Sequence, residues 1–535
     1  MSDHIIDEAL RQRLSDLVAP LETTCTASDF HPNSNEQMLD LVHPHMHLYV
    51  NGLSREVSDL RPPWSQFIGS GSVVSRAAHL EEPPRSFYHN NDQEYVDIMT
   101  SATYQWLPSE VQVDGDGKCS FLSYINNLHP HKHAELYGVL EQVLEKFIPL
   151  FNQVLTDLAY VPLSIYYEPV HSSYMSGSFT NHVNIRDRRH KPDMYPSMKL
   201  EKYWIDPDEL IIRGLDASAL ETQAVLASTT LPQPSTTIEV LDENPVYGDI
   251  TAGATVMSGG NAANTDQGTG GGDDESWDEE RAEEEWYRYE ERKVLKPEFY
   301  AIPPFQPPAP VDPVDLKGSR LQIIVKMANI ILTPEKPEYN GGTWHIEGMK
   351  NEHIVASGIH YWHSENITES KLSFRTSISS PIYEQFDGRG VQCVYGLTDE
   401  APLIQDIGSV TAVQGRSLCW PNILQHKVEA FRLEDPTKQG VRKILVFFLV
   451  DPGLRVLSTA HIPPQQQAWM ELELDRMQVF ARFPSEVREL IMQYAWHFPH
   501  ERALQVRDEV MTERKYFTEQ NTEKVFLREF SLCEH

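Results

Sequence analysis

The stretch from about residue 320 to residue 462 is a succession of short hydrophobic runs separated by turn-forming residues. Runs of this length that are rich in β-branched and aromatic residues are typical of β-strands. Eight or nine of them in one stretch predict a sandwich, barrel or jelly roll. The runs are LQIIVKMANIIL, GGTWHIE, HIVASGIHYWH, KLSFRTSI, VQCVYG, GSVTAVQGRSLCW, QHKVEAF, RKILVFFLV and RVLSTAHI. The fold is therefore expected to be organised around a β core.

Both flanks of this β core have the periodicity of helices. After His129-Pro130, hydrophobic residues recur every three or four positions, which predicts one long amphipathic helix. Its apolar positions are Leu136, Val139, Leu140, Val143, Leu144, Phe147, Phe151 and Leu155. Two segments near the end, PSEVRELIMQYAWHF and ERALQVRDEVMTERKYF, have the same spacing. The chain is thus predicted to be α+β, with helical elaborations before and after the core.

Composition divides the chain into four regions. Residues 1–250 form a mixed α/β N-terminal region, 314–470 the β core and 471–535 the C-terminal helices. Between the first two, residues 251–313 begin with a Gly-rich polar stretch, continue with an acidic one and end rich in proline. Such a segment has little apolar surface to bury, so it is interpreted as a flexible, solvated insert.

The net charge and the cysteine content argue against several classes of function. With 45 Lys and Arg against 78 Asp and Glu, the net charge is −33. This argues against binding of long nucleic acids, which requires a basic face, and against a polybasic membrane anchor. No long apolar run suggests a membrane span, and the N-terminus lacks the apolar core of a secretory signal. The five cysteines lack CxxC spacing, so a reducing cytoplasmic or nuclear location is expected. The sequence does not indicate an oligomeric state.

A His-x-Glu pair within GGTWHIE is the first candidate for chemistry. In a strand, His345 and Glu347 would project from the same face. A second histidine, His426 in QHKVEAF, shares the inward face of its predicted strand with Val428 and Ala430. Two imidazoles and one carboxylate make the facial triad that holds Fe(II) with further coordination positions open.

Arg442 in the run VRKILVFFLV is the fourth candidate. Alternation puts its side chain on the same face as Ile444, Val446 and Phe448. A guanidinium among apolar neighbours is costly unless it meets an anion, which would be either a protein carboxylate or the carboxylate of a ligand. Lys438 and Lys443 are rival cations, but Lys438 lies in a predicted loop and Lys443 points to the other face.

The set GGTWHIE, GRSLCWPN…QHKV and GVRKILVFFLVD resembles the Fe(II)/2-oxoglutarate-dependent dioxygenase superfamily, whose core is a double-stranded β-helix (jelly roll). The resemblance implies that His345, Glu347 and His426 bind Fe(II) and that Arg442 binds the distal carboxylate of 2-oxoglutarate. Position 347 is Glu where Asp is commoner. Arg442 also lies further beyond His426 than is usual, which the longer loop RLEDPTKQG would explain because loops tolerate insertion.

Over most of its length the chain also resembles a largely fungal family known as domain of unknown function 4246. The resemblance rests on SYINNLHP (123–130), HYWHSENITESKLSFR (360–375), RKILVFFLVDPGLRVLSTAHIPPQQ (442–466) and the terminal SLCEH. This family implies no substrate. A protein side chain, a nucleobase and a small molecule all remain open as the substrate.

Further polar residues on the predicted core strands are candidates for the surroundings of the site. Lys326 and Asn329, on the strand before the His-x-Glu pair, would help to place 2-oxoglutarate. His360, His363 and Arg375, on the strands after it, would line the substrate entrance or simply be polar positions on a sheet surface.

A separate group of histidines lies near the N-terminus. His43, His45 and His47 alternate like ligands on one strand face. Because the sequence places no acid among them and a proline interrupts the run, we interpret them as packing residues rather than as a metal site.

The predicted function is an Fe(II)- and 2-oxoglutarate-dependent oxygenase, most simply a hydroxylase. Two alternatives stay open. One is a β-helix protein that acts as a non-catalytic metal-binding interaction module, and the other is an iron oxygenase that does not use 2-oxoglutarate.

Overall fold

The computed structural model describes residues 1–58, 70–73, 99–159, 204–205, 294–295, 313–378, 380, 397–476, 479–495 and 498–531. The chain divides into two compact units. The first comprises Met1–Tyr167, Pro307–Pro381 and Leu397–Cys533, and the second Glu168–Gln306, Ile382–Gly396 and Glu534–His535. Apart from the pair Val294–Leu295 and residue 313, the predicted insert at 251–313 lies outside the described residues.

The described α-helices are α1 (Glu8–Thr24), α2 (Ala134–Ala159), α3 (Gln467–Arg476), α4 (Ser485–Ala495) and α5 (His500–Asn521). The described strands are β1 (Met38–Val42), β2 (Tyr49–Val50), β3 (Arg55–Glu56), β4 (Ser72–Val73), β5 (Tyr104–Gln105), β6 (Ser109–Val113), β7 (Cys119–Phe121), β8 (Trp204–Ile205), β9 (Val294–Leu295), β10 (Arg320–Leu332), β11 (Glu338–Tyr339), β12 (Ile354–Glu365), β13 (Lys371–Ser377), β14 (Ile404–Thr411), β15 (Ser417–Pro421), β16 (Gln425–Val428), β17 (Phe431–Arg432) and β18 (Gly440–Val450). Helices and antiparallel sheets thus confirm the prediction of an α+β chain.

The largest sheet of the first unit has seven strands. Their order is β15-β12-β18-β10-β6-β7, and β1 pairs with β10 as well. All the described pairings in this sheet are antiparallel. The long central strands β10, β18 and β12 were visible in the sequence as apolar runs, whereas β1, β6 and β7 come from the N-terminal region and are short. The N-terminal region therefore extends the β core.

A smaller sheet of three strands, in the order β14-β13-β16, accompanies the large one. Its inward residues Leu372 and Phe374 belong to the same hydrophobic cluster as Ile359, Trp420 and Phe448 of the large sheet. Apolar surface of both sheets is thereby removed from water in a common core, which is the main favourable contribution to such packing.

Helix α2 covers the opposite face of the large sheet, and the prediction of a long helix after Pro130 is confirmed. Its residues Leu140, Val143, Leu144 and Phe147 are completely buried. Gly358 of β12 is required at this contact, because a Cβ atom there would lie 2.6 Å from Cδ1 of Phe147. Any larger residue at Gly358 would push the helix away from the sheet.

The predicted C-terminal helices correspond to α4 and α5. Helix α5 contributes Ala503, Val506 and Val510 to the hydrophobic cluster shared by the two sheets. This helix is therefore an integral part of the core. None of the helices in the described parts of the chain combines the length and the hydrophobicity needed to cross a lipid bilayer.

Candidate metal centre

A cavity of about 1050 Å³ lies within the first unit. The large sheet lines it with Lys326, Trp420 and Arg442, the smaller sheet with His426, and helix α5 with Arg514. Side chains from the segments 31–45 and 338–348 complete the wall. The cavity thus collects residues from the beginning, middle and end of the chain.

His345, Glu347 and His426 converge on one wall of this cavity. Nε2 of His426 lies 3.3 Å from Oε1 of Glu347, and Nε2 of His345 lies 3.7 Å from the same oxygen. The centroids of the two imidazole rings are 4.3 Å apart. One potential ligand atom from each of the three residues thus lies within 4.8 Å of the other two.

The backbone brings the two histidines together. The N–H of His345 donates to the carbonyl of His426 at 3.2 Å, and the N–H of His426 donates to the carbonyl of His345 at 2.9 Å. This is an isolated bridge, so the prediction of a regular strand at the His-x-Glu pair is wrong. Gly341 permits the approach: its φ is +87°, and a Cβ there would lie 2.9 Å from the carbonyl oxygen of Val428.

Asn422 forms hydrogen bonds with both the N–H and the carbonyl of Glu347. The N–H of Glu347 donates to Oδ1 of Asn422 at 2.9 Å, and Nδ2 of Asn422 donates to the carbonyl of Glu347 at 2.8 Å. The same amide donates to the carbonyl of Ile354 at 3.0 Å. The backbone that carries this carboxylate is thus held in place although Glu347 lies outside regular secondary structure.

The charges of the three groups are coupled. Burial opposes ionisation of Glu347, but contacts with His345 and His426 outweigh it and hold the pKa of this carboxyl well below its usual range. Burial alone would lower the pKa of His345, yet its interactions with Glu347 and with the carbonyl of Thr343 raise it. For His426 burial dominates and lowers the pKa. The cluster therefore combines a stable carboxylate with imidazoles of unequal basicity.

This donor set fits a divalent transition metal. Nδ1 of His345 lies 2.8 Å from the carbonyl oxygen of Thr343, so its N–H donates there and leaves Nε2 for a metal. Two imidazole nitrogens and one carboxylate are the ligands of the facial triad that non-haem iron enzymes use.

Arg442 lies on β18 opposite Ile330 of β10 and Ser364 of β12, with its side chain at the cavity. The guanidinium is buried, and burial lowers its pKa. Nη1 donates to the hydroxyl of Ser370, while Nε has no hydrogen-bond partner in the described part of the chain. No carboxylate within those residues forms an ion pair with it.

The two rival cations are engaged elsewhere. Nζ of Lys438 lies 3.0 Å from Oδ2 of Asp435 and its side chain is 74% exposed. Nζ of Lys443 lies 2.7 Å from Oε1 of Glu22 on helix α1, which is the opposite side of the sheet. Neither of them lines the cavity.

The other candidates are divided between the cavity and positions away from it. Lys326 and Arg375 line the cavity. Asn329 does not, because its side-chain amide donates to Glu22 on the helical side at 2.7 Å. His360 is buried on that side, 3.0 Å from the hydroxyl of Ser417, and His363 lies 3.5 Å from Glu365 outside the cavity lining.

Arg375 has its own partners at the cavity wall. Its guanidinium carbon lies 4.5 Å from the ring centroid of Trp344, and Nε donates to Oε1 of Gln425 at 2.8 Å. Of the three predicted substrate residues, it is therefore the one that the structure brings to the cavity.

Sequence reasoning missed Asn422 and the N-terminal side of the cavity. Asn422 lies in the quoted motif GRSLCWPN, but nothing in the sequence indicates that it would hold Glu347. The assumption that the N-terminal histidines lack a nearby acid is wrong: Oδ1 of Asp40 lies 3.8 Å from Nε2 of His43. His31 also joins this group.

A family profile described as "Protein of unknown function (DUF4246)" matches residues 1–473. The chain belongs to this family. The resemblance seen in the sequence is thereby confirmed. No curated protein matches the chain.

Several solved structures are similar to parts of the chain. They include IDO from Bacillus thuringiensis (11% identity, 24% of this chain and 45% of that one) and an Fe(II)/(alpha)ketoglutarate-dependent dioxygenase, TqaL (14%, 29% and 52%). A bsmA homolog from Methylobium petroleophilum PM1 is similar at 11% identity over 26% of this chain and 45% of its own. Each TM-score is 0.17, and the alignments span about half the length of these structures. Likenesses of this size carry no argument about activity.

Proposed function

We propose that this protein is an Fe(II)- and 2-oxoglutarate-dependent oxygenase, most simply a hydroxylase, built on a double-stranded β-helix core. One observation carries the proposal. The cavity that holds His345, Glu347 and His426 also contains the buried guanidinium of Arg442, which has no carboxylate partner among the described residues. A permanent buried cation without a protein anion favours an anionic ligand.

In this proposal the two imidazoles bind Fe(II) through their Nε2 atoms and Glu347 binds it through its carboxylate. Arg442 holds the distal carboxylate of 2-oxoglutarate, for which its planar fork is suited. Lys326 adds a further positive charge to the same cavity. When bound together, iron, 2-oxoglutarate and oxygen would supply the chemistry that converts a C–H bond of the substrate to C–OH. Succinate and carbon dioxide would be the co-products.

The remaining contributions of the chain are orientation and exclusion of water. Ile444, Val446 and Phe448 line the cavity beside Arg442 and keep the surroundings of its charge apolar. Arg375, held by Trp344 and Gln425, is the candidate contact for the substrate, either a small molecule or a protein side chain.

The decisive experiment is anaerobic addition of Fe(II) and then 2-oxoglutarate to the full chain. The proposal expects the weak visible charge-transfer band of an iron–2-oxoglutarate complex, and loss of that band in Arg442→Leu. Lys438→Ala is the control, because Lys438 is exposed and paired with Asp435.

The other outcomes identify the alternatives. Stoichiometric iron without the band would indicate an iron oxygenase that does not use 2-oxoglutarate. Absence of iron binding would overturn the enzyme proposal and leave a non-catalytic module.

A further inference from the structure

A second group of potential metal ligands lies on the N-terminal wall of the cavity. Nδ1 of His31 is 2.9 Å from Oδ2 of Asp40, and Nε2 of His43 is 3.8 Å from Oδ1 of the same carboxylate. The centroids of the two rings are 5.2 Å apart. One ligand atom from each of the three residues lies within 4.8 Å of the other two.

The fold holds Asp40 and His31 in place. Asp40 lies on β1 opposite Ala328 of β10, and the pairing is irregular immediately after it, between Asp40 and Val42. The backbone N–H of His31 donates to the carbonyl of Met38 at 2.7 Å, which ties the preceding segment to the same strand. The group therefore rests on the edge of the large sheet.

Several polar atoms in and beside this group are buried without a hydrogen-bond partner among the described residues. Oδ1 of Asp40 has no hydrogen-bond partner in the described part of the chain, nor has either ring nitrogen of the adjacent His45. The centroid of His45 lies 4.6 Å from that of His43. A buried carboxylate oxygen and two buried imidazole nitrogens without partners are costly, so the arrangement makes physical sense if something else is bound there.

We propose that His31, Asp40 and His43 form a second metal-binding centre, which takes a divalent transition-metal ion such as Zn²⁺ or Co²⁺. Two imidazoles and a carboxylate suit this class of ion. Metal–ligand distances of about 2.0–2.2 Å bring neighbouring ligand atoms to roughly 3–3.5 Å from one another, so small side-chain rotations close the site. This centre is independent of the proposed function, since it shares no residue with His345, Glu347 and His426.

The ring of His43 is also held in place. The backbone N–H of His45 donates to Nδ1 of His43 at 3.2 Å, which fixes the orientation of the imidazole.

The test is the number of Zn²⁺ ions that the full chain retains after loading with excess Zn²⁺ and desalting, measured by elemental analysis. Asp40→Asn keeps the shape of the side chain but removes its charge, and His31→Gln alters a side chain that is partly exposed. Each variant should retain one equivalent less than the parent, both in the wild-type background and in the background of His345→Ala with His426→Ala.

A matched control exists elsewhere in the chain. Nδ1 of His131 lies 2.9 Å from Oε1 of Glu473, as His31 does from Asp40, but Arg476 already neutralises that carboxylate at 3.0 Å. His131→Gln should leave the zinc count unchanged.

An unchanged count in His31→Gln and Asp40→Asn would overturn the second centre. If Asp40→Asn does not fold, as judged by circular dichroism, the count in His31→Gln decides. If the count falls in His31→Gln but not in His345→Ala with His426→Ala, the second centre stands and the proposed iron site fails.

Discussion

His345 and His426 pair through their backbones, each donating its N–H to the carbonyl of the other, at 3.2 and 2.9 Å. The two rings project from this bridge toward Glu347, whose Oε1 is 3.7 and 3.3 Å from their Nε2 atoms. Ligand positions far apart in the sequence are thus fixed by main-chain geometry. A change of either side chain should remove a ligand while the bridge remains.

The first prediction follows from this arrangement. His345→Ala or His426→Ala should abolish stoichiometric binding of Fe(II) at micromolar concentrations, since two protein ligands hold Fe(II) poorly. Iron content after anaerobic reconstitution measures the effect, and circular dichroism checks the fold. His363→Ala is the control, because His363 pairs with Glu365 away from the cavity. Undiminished iron in both variants would refute the site.

The second prediction concerns affinity for 2-oxoglutarate. Arg442→Leu should retain Fe(II) but lose a charge-assisted contact of about 3–5 kcal/mol, which lowers the affinity by roughly a hundredfold or more. Arg442→Lys should be intermediate, because it keeps the charge but not the fork. Titration of the anaerobic iron complex gives the dissociation constants. Normal binding by Arg442→Leu would show that the anchor lies elsewhere.

The third prediction concerns the stability of the same variant. A buried guanidinium without a carboxylate partner is destabilising in the absence of ligand, so Arg442→Leu should raise the free energy of unfolding by about 1–3 kcal/mol. Urea denaturation of the metal-free protein measures this. A loss of stability instead would mean that the hydrogen bond to Ser370 and the contacts with Tyr361 and Phe431 make Arg442 a structural residue.

The fourth prediction separates positioning from general stability. Asn422→Ala should weaken Fe(II) binding by about 10–100-fold, because the backbone of Glu347 loses its two contacts. Asn366 is a matched control, since its side-chain amide donates to the carbonyls of Asp435 and Lys438 in a loop outside the cavity lining. Asn366→Ala should destabilise the fold without changing the affinity for Fe(II). Equal iron affinities in the two variants would contradict a positioning role.

The sequence was sufficient for features that depend on side-chain periodicity. Alternation along β18 separated Arg442, which faces the cavity, from Lys443, which faces Glu22. Helical spacing correctly predicted α2 from the recurrence of its apolar residues. Both patterns are local, so they need no knowledge of which strands are neighbours.

Features that depend on strand neighbours were less predictable. Asn329 was grouped with Lys326 at the site although alternation along β10 puts the two on opposite faces, whereas the face that His360 takes depends on how β12 pairs with β18. Asp40 and His31 were missed as neighbours of His43, because it is the folded backbone, with the pairing of β1 and β10 and the hydrogen bond from His31 to Met38, that brings the three together. A short edge strand has too few residues for its own alternation to indicate its partner.

The last prediction uses the buried position of His360. Burial lowers the pKa of this imidazole from its usual 6.5 to about 4, so the ring is neutral in the folded protein. As the pH falls below about 6.5, the unfolded chain takes up a proton that the folded chain resists, and stability is lost until the pH reaches about 4. A shift of this size corresponds to at most about 3 kcal/mol.

His360→Asn keeps a polar partner for Ser417 but removes the titration, so its loss of stability between pH 7 and pH 4.5 should be smaller than that of the wild type. Urea denaturation at both pH values measures the difference, and an identical loss in the two proteins would contradict the assignment. Because His360 lies on the helical face, the variant should also bind Fe(II) and 2-oxoglutarate as the wild type does.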